Sequence, residues 1–353
     1  GGVAALALSS GQAAIHYSII NIAEVGNNIV SVPMLYGGTY TLFAHMLPKL
    51  GIDVRFAKDD RAASMEPLID DKTAAVYCET LGNPAGNIPD LEAIAALAHR
   101  HGIPLIVDNT VPTPVLMKPI EFGADIVVHS LTKYMGGHGT SIGGIIVDSG
   151  KFPWAEHAKR FPMLNNPEPA YHGVIYTEAL GPAAYIGRVR TVALRNTGSA
   201  MSPMNAFFFL QGIETLSLRM ERHTENALNV AHYLEKHPGV AWVKYAGLPS
   251  SEYYQLAQKY MKGRPSALLA FGIKGGFDAG VKFYDALKLF KRLVNIGDAK
   301  SLAAHPASTT HRQLTETELA AAGVTADMIR LCIGIEHIDD ILEDLEQALA
   351  AAS

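Results

Sequence analysis

Cysteine is nearly absent. The 353 residues contain two, Cys78 and Cys332, each inside an apolar, strand-like run. That excludes a disulfide framework and offers none of the paired spacings of a zinc site. Both read as reduced core residues, as expected of a cytoplasmic protein. Blocks of one charge are lacking too: 29 lysines and arginines stand against 34 acids, a net charge of −5, with the signs interspersed. This argues against a nucleic-acid partner and against an anionic membrane surface. Apolar stretches such as Ala206-Phe-Phe-Phe-Leu210 fall far short of the roughly 20 residues that span a bilayer. Gly1–Leu8 is apolar but has neither a basic leader nor a signal-peptide layout. No methionine precedes it, and the chain is expected to be part of a longer product. No internal repeat or low-complexity tract occurs. No G-x-G-x-x-G follows the first strand, which argues against a dinucleotide-binding protein.

What is present is a large apolar fraction, 48% of the residues, enough for a substantial core and, at this length, two domains. Short strand-like runs alternate with helical patterns. Asn28–Val32, Ile52–Phe56, Ala74–Cys78, Ile103–Val107, Ile126–Val128 and Ser141–Val147 read as strands. Ser9-Ser-Gly-Gln12 reads as a helix start, and Leu91–Ala98 as a helix opened by Pro89-Asp90. The alternation predicts an α/β fold with a mainly parallel sheet flanked by helices. From 151 to 205 the pattern weakens into a partly helical connector, closing a large domain over 1–205. A linking helix over 206–238 follows, its stripe of Met220, Ala227, Ala231 and Leu234 stopped at His237-Pro-Gly239. A smaller α+β domain over 239–353 is expected, with strands at Val240–Tyr245, Ala267–Ile273, Leu293–Ile296 and Met328–Ile333, and helices at Phe277–Phe290 and Ile338–Ala350.

One stretch concentrates chemistry: Ala124-Asp-Ile-Val-Val-His-Ser-Leu-Thr-Lys-Tyr-Met-Gly-Gly-His-Gly-Thr140. A buried strand runs into Ser130, Thr132 and Lys133, then into glycines. By itself this allows a solvated loop lysine. It also allows a Schiff-base lysine for pyridoxal 5'-phosphate (PLP), whose phosphate the hydroxyls would bind and whose amine burial would make nucleophilic. Upstream, Asp108 follows the strand Ile103–Val107, where open α/β sheets place their ligands. It is either a turn or helix cap, or the carboxylate that keeps a pyridine nitrogen protonated. The order strand–Asp, strand–Ser-x-Thr-Lys is more specific than either part. Ser10, Gly11 and Gln12 form either a plain cap or an anion-binding helix start. Tyr36, beside Gly37 and Gly38, either packs or covers a ring. Asn83 before Pro84 is either a turn residue or an amide held in a fixed direction. Arg330, inside an apolar strand, is either paired structurally, with Glu336 the candidate, or a fork for a carboxylate.

These residues resemble the PLP-dependent enzymes of cysteine and methionine metabolism, the cystathionine γ-synthase-like branch of fold type I, from the first residues to the last helix. Within that branch the chain is similar to the O-acetylhomoserine sulfhydrylases, through Leu35-Tyr-Gly-Gly-Thr39, Phe161-Pro-Met-Leu-Asn165 with Ala170-Tyr-His172, and Tyr176–Tyr185. The resemblance implies that Lys133 carries PLP, Asp108 pairs its ring nitrogen and Tyr36 stacks on the ring. It implies that Asn83 bonds the phenolic oxygen, while Ser10, Gly11, Gln12, Ser130 and Thr132 surround the phosphate. Arg330, on Arg330-Leu-Cys-Ile-Gly-Ile-Glu336, would bind the substrate carboxylate. Ser301 would help hold that carboxylate or orient the lysine. The implied substrates are an amino acid, O-acetyl-L-homoserine, and a small thiol, and the implied assembly is a homotetramer of active-site-sharing dimers. A Tyr-Ser-Arg segment that relatives carry upstream of the position of Gly1 would reach the neighbouring subunit's phosphate. A γ-lyase or cystathionine γ-synthase shares the machinery. Methionine γ-lyases commonly have cysteine where Gly38 stands, which disfavours the lyase.

Overall fold

The computed structural model describes residues 1–82, 86–309 and 325–352. These form two compact units. The first comprises Gly1–Leu81, Ile88–Thr132 and Thr140–Leu210, and the second the described residues of Gly82–Asn87, Lys133–Gly139 and Gln211–Ser353.

The first unit is built on seven strands: β1 (Ala4–Leu8), β2 (Asn28–Ser31), β3 (Asp53–Phe56), β4 (Thr73–Glu79), β5 (Leu105–Asp108), β6 (Ile126–Ser130) and β7 (Gly144–Asp148). Their order is β1-β7-β6-β5-β4-β2-β3. The block β3-β2-β4-β5-β6 is parallel throughout. β7 runs antiparallel to both β6 and β1. Between β6 and β7 no crossover helix intervenes, and a connection without one suits an antiparallel neighbour. β4 is buried at all seven residues, as a strand covered on both faces must be. Helix α1 (Gly11–Ile20) starts where expected, with the Ser10 hydroxyl accepting the Ala13 N–H at 3.0 Å. β1 was not anticipated from the apolar opening Gly1–Leu8. The connector forms short helical pieces at Pro162–Asn165, Tyr176–Leu180 and Ala184–Arg188. They close on an aromatic cluster in which Trp154 stacks on Tyr185 at 5.4 Å.

The second unit holds a five-stranded sheet, order β10-β11-β12-β9-β8, from β8 (Val240–Lys244), β9 (Leu268–Ile273), β10 (Lys291–Arg292), β11 (Leu302–Ala304) and β12 (Met328–Cys332). Here the expectation of a strand at Leu293–Ile296 fails. Leu293 and Val294 are 43% and 51% exposed, and the pairing residues are the two before them, Lys291 and Arg292. The helix Leu216–Lys236 buries Leu216, Met220, Ala227, Ala231 and Leu234, the predicted stripe. Helix Ile338–Ala352 falls where expected, helix Gly276–Ala286 ends four residues short of the expected Phe290, and helix Tyr254–Met261 was not foreseen. Among the described residues no helix is long and apolar enough to cross a membrane.

One buried carboxylate fastens the second unit. Asp344, on the helix Ile338–Ala352, accepts Lys288 N–H at 2.9 Å on Oδ1, and Leu289 and Phe290 N–H at 2.9 and 3.0 Å on Oδ2. Asp344→Ala orphans three backbone donors, so it should cost about 2–4 kcal/mol, with Asp344→Asn losing less. Urea unfolding of the two variants against the parent chain checks this; a midpoint unchanged in Asp344→Ala would contradict it.

Candidate active site

The carboxyl ends of the parallel strands gather the polar residues of the first unit. β4 ends in Glu79 and β5 in Asp108, paired across the ladder, and β6 ends in Ser130. Thr110 ties two of these ends together. Its N–H donates to Asp108 Oδ1 at 2.8 Å, and its Oγ1 accepts the Ser130 N–H at 2.7 Å. Burial lifts Asp108 to about 6. Burial, and then the charge of Asp108, push Glu79 well above the usual carboxylate range. A cation placed beside such a pair would favour its ionised form.

Glu79 also accepts the Tyr36 N–H at 2.8 Å, which fixes the backbone from which the Tyr36 ring projects, 49% exposed. Gly38 leaves room for that ring. A Cβ there would meet Tyr36 Cε1 at 2.6 Å and would also strike Gln12 Nε2. That Gln12 nitrogen is buried with no hydrogen-bond partner among the described residues. The start of α1 sits directly on Ser130. A Cβ on Gly11 would lie 2.6 Å from Ser130 Cβ and 3.0 Å from its Oγ, so only glycine lets the helix N-terminus and the serine hydroxyl approach. The structure therefore brings Ser10, Gly11, Gln12, Ser130, Tyr36, Glu79 and Asp108 into one unit at the strand ends. Thr132 is in the same unit, its hydroxyl exchanging hydrogen bonds of 3.2–3.3 Å with the Gly143 backbone. Asn83 lies outside the described residues.

Lys133 belongs to the second unit. Its Nζ donates to Asn295 Oδ1, and the Asn295 carbonyl accepts Arg330 Nη2 at 3.2 Å. Burial, and next the charge of Arg330, depress the Lys133 amine below its ordinary value, which favours the neutral, nucleophilic form. Arg330 projects from β12, opposite Ala270 of β9 and Ala304 of β11, small residues that leave space beside the guanidinium. Ser301 is placed differently from what the sequence suggested. It is fully buried, and its Oγ donates to Glu336 Oε2 at 2.9 Å while accepting the Gly334 N–H at 2.8 Å. Glu336 Oε1 takes the Ser301 N–H at 2.7 Å. The hydroxyl is therefore spent on the scaffold.

Sequence reasoning missed Asn295. The available signal was an amide placed between Val294 and Ile296 immediately before Gly297-Asp298, a polar interruption that a strand assignment passes over.

The residues present fit PLP. The buried acid pair at the strand ends suits a protonated ring nitrogen. The free Gln12 amide and the glycine-lined start of α1 suit a phosphate. A half-buried amine with a depressed pKa suits the aldehyde.

Comparison with known proteins agrees. The family model for Cys/Met metabolism PLP-dependent enzymes matches residues 1–350. The chain is 53% identical over 352 residues to a homocysteine synthase of Schizosaccharomyces pombe, covering 99% of this chain and 82% of that protein. It is 50% identical over 352 residues to O-acetyl-L-homoserine sulfhydrylase 1 of Thermus thermophilus, covering 99% and 83%. A Campylobacter jejuni crystal structure assigned as O-acetylhomoserine (thiol)-lyase, which contains N'-pyridoxyl-lysine-5'-monophosphate, superposes with a TM-score of 0.95 at 41% identity, covering 99% of this chain and 83% of that one. The chain belongs to the Cys/Met metabolism PLP-dependent enzymes, of fold type I.

Proposed function

We propose that this protein is an O-acetylhomoserine sulfhydrylase, joining O-acetyl-L-homoserine to sulfide or methanethiol to give homocysteine or methionine plus acetate. The observation that carries the reading is the convergence of Lys133 and Arg330 on Asn295. A proton-transferring amine set beside a carboxylate-binding fork matches the Cα–carboxylate arrangement of an amino acid. The names of relatives at about half identity over nearly the whole chain supply the substrate class.

When bound, PLP supplies an electron sink for the negative charge that develops at the substrate Cα. The remaining work falls to side chains. Arg330 would take the α-carboxylate through its planar fork. Lys133, already depressed toward neutrality, would remove the Cα proton and return protons later. Asn295 Oδ1 would hold the amine in line while its carbonyl steadies Arg330. Asp108 would keep the ring nitrogen protonated, with Tyr36 covering the ring. Ser10, Gly11, Gln12, Ser130 and Thr132 would surround the phosphate, and Asn83 the phenolic oxygen. Ser301 would act through Glu336, as a support. At Cγ, acetate leaves and the thiol sulfur takes its place. Gly38, which removes a side chain beside Tyr36, favours a small thiol.

A homotetramer built of dimers is the assembly we favour. Helix Pro203–Glu214 exposes Met204, Phe207, Phe208 and Leu210 by 40–65%, an apolar surface a monomer rarely leaves open. A cytoplasmic location fits the two free, buried cysteines.

Supplied with O-acetyl-L-homoserine, the protein should form homocysteine from sulfide and methionine from methanethiol, with cysteine a much poorer acceptor and methionine cleaved slowly. Acetate, ammonia and thioether are quantified for each acceptor. Abundant cystathionine would move the assignment to the synthase, and ammonia with 2-oxobutanoate outrunning homocysteine at saturating sulfide would move it to a lyase.

The raised pKa of Asp108 predicts how PLP affinity depends on pH. Binding favours the ionised carboxylate, whereas the free protein protonates Asp108 below about 6. Affinity should therefore weaken by about tenfold per pH unit below that value. Asp108→Asn should abolish this step and lower turnover by orders of magnitude. Cofactor titration followed by visible absorbance checks both, and a pH step that persists in Asp108→Asn would assign it to another group.

A further inference from the structure

We propose that Arg219 is a positioning residue for Lys133, gripping the backbone that follows the lysine through the carbonyl oxygens of Tyr134 and Met135. The inference rests on Lys133 being the PLP-bearing lysine. Arg219 lies on the buried face of helix Leu216–Lys236 and is 5% exposed. Its Nη1 donates to Tyr134 O at 2.7 Å. Its Nη2 donates to Gly212 O at 2.6 Å and to Met135 O at 3.4 Å, and its Nε to Thr215 Oγ1 at 3.2 Å. These acceptors are all neutral. A buried guanidinium is costly, and an apolar residue of similar volume often serves stability as well or better. What the guanidinium fixes is geometry: two of its four acceptors are the first two carbonyls after Lys133.

The surroundings are cut to this grip. Gly137, at φ +75°, lies against the fork, where a Cβ would come within 2.5 Å of Arg219 Cζ. A Cβ on Gly212 would strike the Gly136 carbonyl oxygen first and would approach Met135 O to 2.8 Å and Gly136 C to 3.0 Å. From elsewhere in the same unit Gly297, at φ +76°, abuts the lysine itself, a Cβ there falling 2.8 Å from Lys133 C and 3.1 Å from its Cα. The backbone from Lys133 to Gly137 is thus held by contacts that admit no extra atom.

The same helix face continues to the other half of the group. One turn on, His223 donates from Nδ1 to Ile333 O at 2.7 Å, and its ring meets that of Tyr134 edge-on at 5.2 Å. Asn226 donates from Nδ2 to Gly334 O at 3.1 Å and to Glu336 O at 2.9 Å. Residues 219, 223 and 226 therefore brace both the loop after Lys133 and the segment leaving β12, the strand that carries Arg330. The distance between the Lys133 amine and the Arg330 guanidinium is set by this helix face together with Asn295.

Two variants load the brace from different sides. Arg219→Lys keeps the charge and loses the fork. Gly212→Ala leaves the Arg219 side chain unaltered and presses on the Gly136 and Met135 carbonyls. Each holoenzyme is read by the pH midpoint of the bound cofactor's visible absorbance, by the site of the borohydride-fixed pyridoxyl label, and by kcat and KM. Lys133 Nζ faces Asn295, Arg330 and Cys332, so moving it should change the titration that the bound cofactor's absorbance reports. Both variants should bind PLP and label at Lys133, with the midpoint displaced by roughly half a unit or more. kcat should fall about tenfold to a hundredfold, with KM little changed. A lowered melting temperature with unchanged midpoint and kcat would make Arg219 a structural brace and overturn the proposal. A label on another lysine in the unaltered protein would overturn the reading of Lys133, and this inference with it, whatever the variants do.

Discussion

Burial of a carboxyl beside a carboxyl is the constraint that orders the first unit. Glu79 and Asp108 end neighbouring strands in matched register, and parallel pairing leaves no freedom to offset them. Desolvation disfavours charge on each, and Asp108 adds its own charge to the load on Glu79. The fold relieves part of this through N–H donors, Thr110 to Asp108 and Tyr36 to Glu79. A protonated nitrogen, such as a PLP ring offers, would relieve the rest. Thr110 then passes the arrangement on to Ser130, and Ser130 to the start of α1 through the close approach at Gly11. One electrostatic demand thus fixes strand ends, helix start and aromatic cover in a single unit.

The second unit answers a different demand, keeping two cationic side chains near one another. Lys133 and Arg330 both reach Asn295, and the guanidinium helps depress the amine. Such proximity persists only where the backbones cannot drift apart. Helix Leu216–Lys236 adds to that rigidity by polar contacts to carbonyl oxygens of the loop after Lys133 and of the segment after β12, both of which lie outside the strands. The polar residues of an otherwise apolar stripe carry this work, while Met220, Ala227 and Leu234 carry the packing.

Much of this was legible from residue order. The β–α alternation gave the parallel block because fully buried strands leave near-continuous apolar runs, as in Ala74–Cys78. The Ser10 cap and the helix behind it were readable because capping is local, needing only the hydroxyl and the N–H three residues on. Arg330 stood out because a guanidinium in an apolar strand demands a reason. Segments whose identity depends on remote partners were misread or missed. Leu293–Ile296 has strand composition, yet it contributes no strand residue and presents Asn295 to Lys133. β11 is three residues long, too short to show alternation, and exists through its pairing with β10 and β12.

The sequence by itself determined the chemistry on offer: an acid at one strand end, a lysine leaving another, glycines where side chains would collide, and an arginine inside an apolar strand. These follow from local stereochemistry and from the cost of burying charge, both of which act within a few residues. Only the tertiary structure decided how those groups are tuned and held. Ser301 turns to Glu336, Asn295 takes the place beside the lysine, and Arg219 closes on the loop from more than 80 positions away. Hydrogen-bond partners separated that far in sequence are chosen by the packing of helix on sheet, which no local pattern encodes.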